Sequence, residues 1–216
     1  MPQPTQEITT RESDRKQLAY TAEFKSFVKD HDGVLKKAQE MIDSLLDGET
    51  DSAVEDAGIV VEKILTEKEP SRFFRITLTD KSFFVKMRLR IVGHVNLEEF
   101  QVLSRLKELY KDNPKVEIVN FQLAFASKDR NYFVAEWDDR LVMNLRDHLR
   151  KLDKNRQQLP NDMALKRHIE DLGSRANEIE QQLRKTGFDD FGSVNMAYDP
   201  KTDTIILFDI LLKKQR

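Results

Sequence analysis

Cysteine is missing from all 216 residues, which excludes a disulfide framework, a thiolate nucleophile and a zinc–cysteine site. That composition suits a reducing compartment. No apolar run approaches the roughly 20 residues that a bilayer-crossing helix needs. The N-terminal MPQPTQEITTRESDRK also lacks the apolar core of a signal peptide. The expected location is therefore cytoplasmic, with signal-less export left open, and no membrane partner is expected. A surplus of either charge sign is absent too: 36 Lys and Arg stand against 38 Asp and Glu, a net charge of −2. A dedicated nucleic-acid binder carries a clustered basic excess, so no nucleic-acid partner is expected. His31, His94, His148 and His168 are scattered, without H-E-x-x-H or another paired-ligand spacing, which argues against a histidine metal site. No serine sits in a G-x-S-x-G elbow, so acyl transfer has no candidate nucleophile.

What is present suffices for a packed core: 39% of residues are hydrophobic, beside 34% charged. The length fits one compact domain or two small lobes. Residues 1–12 are polar and aperiodic, and are expected to be disordered. Residues 13–50 read as a helical extension. Its first helix covers about 13–29, with Leu18, Phe24, Phe27 and Val28 towards one side. The second runs from an Asp32 cap to a Gly48 stop, and its stripe of Val34, Leu35, Ala38, Met41, Ile42, Leu45 and Leu46 repeats at helical spacing.

Between 54 and 137 the texture is that of strands. GIVVEKIL (58–65), RFFRITLT (72–79) and SFFVKMRL (82–89) are rich in β-branched and aromatic residues. TEKEPS, with Pro70, and a tight turn near Asp80–Lys81 separate them, which predicts a three-strand antiparallel meander. A helix over about 97–111 follows, burying Phe100, Leu103, Leu106 and Tyr110. Strand candidates then cover 115–125, loosely, and 131–137. From 138 to 216 helices dominate: one over about 139–152, another over about 162–186 with its seam of Leu165, Ile169, Leu172, Ala176, Ile179 and Leu183. Gly187 is placed to end the latter. The charge run at 150–158 reads as a solvated helix end. A hairpin of 195–198 and 204–209, turning at DPKTD, comes last.

The segment DFGSVNMAYDPKTDTIILFD sets Asp190 and Asn195 five positions apart, with Asp209 at the far end of the hairpin. Such groups on strand ends can orient a hydroxyl nucleophile and grip magnesium beside a nucleotide phosphate. This segment, and an order of three strands, one helix and two strands before it, resembles the protein kinase and aminoglycoside kinase superfamily over about residues 56–212. The resemblance implies an α+β, two-lobed protein kinase-like fold. Residues 54–137 would form a five-stranded antiparallel small lobe, and 138–216 a truncated, mainly helical large lobe. It implies a transferase that binds ATP and magnesium between the lobes, with nucleotide and an unassigned acceptor as partners.

The same resemblance assigns roles. Lys86, in FFVKM, matches the lysine that contacts the nucleotide phosphates; it could equally be a lysine whose stem lies along an edge strand. Glu99 matches the glutamate that orients it, although Asn96 and Glu99 also have capping-box spacing. YFVAEW (132–137) resembles the strand entering the hinge, with Glu136 and Trp137 as adenine contacts through backbone. Asp190 matches the acceptor aspartate of H-R-D-x-x-x-x-N and Asn195 its metal-binding asparagine. Asp209 matches the metal-bridging aspartate of D-F-G. There are departures. TEKEPS has no glycine to bring backbone N–H groups to phosphates. Phe188 and Asp189 replace His-Arg, Ile210 and Leu211 replace Phe-Gly, and the chain stops seven residues past Asp209. They favour the alternative, a catalytically inactive kinase-like module (a pseudokinase) that works by binding a protein partner.

Overall fold

The computed structural model describes residues 17–30, 33–46, 53–64, 71–78, 81–89, 95–126, 130–189 and 192–212. The N-terminus read as disordered, the caps Asp32 and Gly48, the loop with Pro70, His31, His94 and Asp190 lie outside the described residues. The chain is α+β and divides into two units. The first takes Met1–Phe100 and Asn120–Trp137, the second Gln101–Val119 and Asp138–Arg216.

In the first unit, alternating apolar residues build a seven-stranded sheet in which every pairing is antiparallel. Its strands are β1 (Gln17–Tyr20), β2 (Ala53–Asp56), β3 (Ile59–Ile64), β4 (Ser71–Thr77), β5 (Ser82–Leu89), β7 (Phe121–Ala126) and β8 (Arg130–Glu136), in the order β1-β7-β8-β5-β4-β3-β2. The β2–β3 turn uses Ala57 at φ 51° and Gly58 at φ 76°, two left-handed residues in a row, as a two-residue hairpin loop of matching twist requires. Helices α1 (Ala22–Asp30) and α2 (Val34–Leu46) cover one face. Phe24, Ala38, Met41, Ile42 and Leu45 join Val61, Phe74, Phe83, Val85 and Met87 in a single apolar cluster there.

Two expectations change in this unit. The sheet has seven strands where five were expected, because residues 17–20, read as helix, form an edge strand on β7, and 53–56, ahead of the first strand expected at 58–65, pair with β3. Tyr20 and Leu123 are partners in that pairing, so long-range hydrogen bonding outweighs the weak helical preference of so short a segment. Helical structure starts only at Ala22, capped by Thr21, whose Oγ1 accepts from the Phe24 N–H at 3.2 Å.

The single strand expected at 115–125 is two. β6 (Val116–Ile118) belongs to the second unit and runs parallel to β11 (Thr204–Leu207), which pairs antiparallel with β10 (Met196–Asp199). All eight residues of β10 and β11 are buried, the mark of a sheet covered on both faces. Helix α3 (Val95–Leu109) precedes β6, and after β8 a 3₁₀ turn (Asp139–Val142) leads to α4 (Leu145–Gln158) and α5 (Met163–Lys185). The charged run at 150–158 lies within α4. Asn144 and Asp162 cap α4 and α5 through their side chains. Gly187 follows α5 at φ 84°, a conformation that costs glycine nothing. Two short strands, β9 (Phe188–Asp189) and β12 (Leu211–Leu212), pair antiparallel. No described helix is long and apolar enough to cross a membrane.

Candidate functional site

Within the first unit, Lys86 Nζ lies 2.9 Å from Glu99 Oε2, and each side chain is only 3% exposed. Strand and helix periodicity produce this meeting. On β5, Phe83, Val85 and Met87 face the α1–α2 cluster, so Lys86 takes the other face by simple alternation. On α3, Glu99 stands on the same stripe as Leu103 and Leu106, continued by Tyr110 just past the helix end, all buried. The edge-strand reading of Lys86 does not survive, since the lysine is buried on a strand between β4 and β8. Helix α3 starts at Val95, ahead of Asn96, and Glu99 pairs with Lys86. Taking two charges out of water costs several kcal/mol per ion, and a core built only for stability would fill this volume with apolar groups.

Cross-strand pairing identifies the company Lys86 keeps. Its partners Phe73 and Phe133, and the neighbouring pair Arg75 and Phe84, share its face. Phe73 and Phe84 stack at 5.6 Å. The Arg75 guanidinium lies 4.6 Å above the Trp137 ring centre, and its buried Nε has no hydrogen-bond partner among the described residues. Arg75 was overlooked in the sequence, yet alternation along RFFRITLT places it with Phe73 and so on the side of Lys86.

The proposed hinge residues are arranged differently from expectation. Trp137 shares the face of Lys86, but Glu136 is the partner of Phe83, and its side chain lies on the opposite, α1 side. The N–H of Glu136 is donated to Asn120 O and that of Trp137 to Ser82 O, both at 2.8 Å. An adenine edge at this strand end would have to use other backbone groups.

In the second unit, Asn195 is held to the end of β11. Its N–H donates to Gly192 O at 2.9 Å, its carbonyl accepts from the Phe208 N–H at 3.1 Å, and its side-chain Nδ2 donates to Asp209 O at 2.9 Å. That last bond fixes the amide orientation, since only the nitrogen can donate to a carbonyl. Asp209 stands in the left-handed region at φ 51°, a conformation unfavourable for a residue with a Cβ, between buried Leu207 and Ile210. Asp189, the residue before Asp190, is the strand partner of Leu211.

The donor set suits magnesium, which prefers oxygen: the Asp209 carboxylate and the Asn195 amide oxygen are both hard ligands. Among the described residues no group of three or more His, Cys, Asp or Glu could hold a metal ion. Magnesium held by two protein ligands would complete its shell with water and substrate phosphate, as it commonly does.

Other charges of this unit were not anticipated. Asp203, also left-handed at φ 54°, accepts from Lys115 Nζ at 2.6 Å, Arg175 at 2.6 Å and the Tyr198 hydroxyl at 3.0 Å. The bonds from Lys115 and Arg175 hold its carboxyl well below the usual range. Burial, with the bond to Asp203, pushes the Tyr198 hydroxyl up to about 12. Arg140 clasps Asp138, Glu117 and Asp199, and its pKa is raised, first by the bond to Asp138 and then by that to Glu117. These clusters tie the turns of the β10–β11 hairpin and the 3₁₀ segment in place. The only advance signal was the DPKTD turn. A scan against protein-family models and a search of curated proteins find no match for this chain.

Proposed function

We propose that the chain is a minimal kinase-like phosphotransferase that uses ATP with magnesium, its acceptor unassigned. The Lys86–Glu99 pair carries this reading. A lysine held this deep by a glutamate, with its ammonium fixed in position, is suited to an anionic ligand and poorly suited to plain core packing. In this reading Lys86 binds the nucleotide phosphates and Glu99 orients it. Asn195 and Asp209 hold the metal, and Asp190 orients the acceptor hydroxyl. Bound magnesium would supply neutralisation of the charge on the transferring phosphate. The left-handed Asp209 supports its role, since strained residues cluster where a side chain must be aimed. Trp137, beside Arg75, borders the nucleotide; Glu136 contributes through backbone alone.

The test is ATP turnover followed by ³¹P NMR, paired with thermal unfolding with and without ATP and magnesium. A ligand that binds only the native state must raise its stability. Turnover that vanishes in Asp190→Ala while the thermal shift persists supports catalysis. No shift at millimolar ATP removes the reading for this chain.

One observation favours the second reading, a kinase-like module without catalysis that binds a protein partner. The N–H groups of Glu136 and Trp137 are both engaged inside the sheet, which weakens adenine recognition at that strand end. A thermal shift with no turnover under any condition would select it.

A further inference from the structure

We infer that the first unit carries a second ligand site, on the sheet face opposite Lys86, built for a single heteroaromatic ring of the aminopyrimidine type. A cavity of about 160 Å³ lies between α1 and the sheet, close to the ~150 Å³ that accommodates one benzene ring. Three rings form its wall: Phe24 and Phe27 stack at 6.0 Å, and Phe83 meets Phe27 at 5.4 Å.

The inside of the cavity is polar at one point. Gln122, 3% exposed, lines it from the place where the β7–β8 register shifts, an irregularity that re-aims side chains. Two bonds in series anchor it. The Phe24 N–H donates to Thr21 Oγ1 at 3.2 Å, and the Thr21 hydroxyl donates to Gln122 Oε1 at 3.0 Å. The amide nitrogen is thereby left as the remaining terminus, and it has no protein partner among the described residues. A ligand acceptor inside the cavity would pair with this nitrogen.

The opening has the opposite requirement. Glu23 is exposed there, and Glu136 is fixed by Asn120 Nδ2, which donates to its Oε2 at 2.6 Å. Lys81 Nζ lies 3.7 Å from Glu136 Oε1 and 5.7 Å from the Phe27 ring centre, so the protein already places a cation at this mouth. Among the described residues this mouth presents two carboxylates and one ammonium, acceptors that an N–H-rich group can share. A ring with an acceptor for Gln122 at one end and an amino group for the glutamates at the other meets both demands. Cytosine has that pattern; uracil presents a carbonyl where the amino group is needed.

This inference does not depend on the phosphotransferase reading. The experiment is a ¹H–¹⁵N NMR titration of the full chain with cytosine, following the Gln122 side-chain amide. The expected result is a saturable shift with a dissociation constant on the order of 1 mM, the scale for a one-ring fragment. Gln122→Leu should weaken binding by about ten-fold. Glu23→Gln, at an exposed position, should weaken it by a few-fold with folding and Mg·ATP binding unaltered. Equal affinity for cytidine would assign the base of a nucleoside, and cytosine alone the free base; either supports the site. Absence of a saturable shift, equal binding of uracil or benzene, or full affinity in both variants would overturn it.

Discussion

The two units use charge in opposite ways. In the first, Lys86 and Glu99 are each 3% exposed and meet at 2.9 Å, at a desolvation cost that their attraction does not reliably offset. In the second, Asp203 is 46% exposed and Arg140 34% exposed, so each gathers several partners while remaining close to water. Half-exposed clusters cost little and stabilise modestly. They explain themselves as fasteners of turns. The buried pair has no such explanation, and that contrast is why it, and not the more crowded clusters, is read as functional.

The contrast can be broken at its strongest point first. Replacing one partner alone, as in Lys86→Met, leaves an uncompensated buried charge and should cost about 3–5 kcal/mol in chemical denaturation. The double variant Lys86→Met with Glu99→Leu should recover most or all of that loss. A double variant as unstable as the single one would make the pair structural. In the second unit Asp203→Gly should cost about 1–2 kcal/mol, because the turn keeps its left-handed residue but loses three hydrogen bonds. Asp209→Gly should behave oppositely. Relief of the left-handed strain leaves stability equal or raises it by up to about 1 kcal/mol, while magnesium-dependent nucleotide binding falls. Equal losses at both positions would erase the distinction between fastener and ligand.

The smallest effect is one of pH. Burial, then the positive charges of His168 and Lys151, lower the pKa of His148. The unfolded chain therefore takes up this proton first, at about pH 6.5, and stability should decline as pH falls below that value. Asp203 adds a second limb. Its depressed pKa gives stability that is complete above about pH 4 and is lost as pH falls further. His148→Phe should remove the upper limb and leave the lower one, as followed by thermal unfolding across the pH range.

Local patterns were legible where one periodicity dominated. The alternation in SFFVKMRL sets Lys86 opposite Phe83 and Val85, whereas Glu99 was matched in EFQVLSRL by resemblance and its burial shows only in the structure. The long seam from Leu165 to Leu183 likewise gave α5. What escaped depended on partners far away in the chain. Residues 17–20 become a strand only because Ala124 and its neighbours, more than a hundred positions later, offer an edge. The split at Val119–Asn120, which sends β6 and β7 to different sheets, follows from pairing with β11 and β8 and not from composition. Arg140 and Gln122 carry no local signature, and the DPKTD turn marks Asp203 only as a turn residue, because their roles are set by which groups converge on them.

Whether the buried Lys86–Glu99 pair serves a nucleotide is decided by calorimetric titration of Mg·ATP into the wild-type chain and into the refolded Lys86→Met, Glu99→Leu double variant. Measurable heat and saturation are expected for the wild type and none for a double variant of equal or greater stability. Identical binding by both proteins would contradict that role.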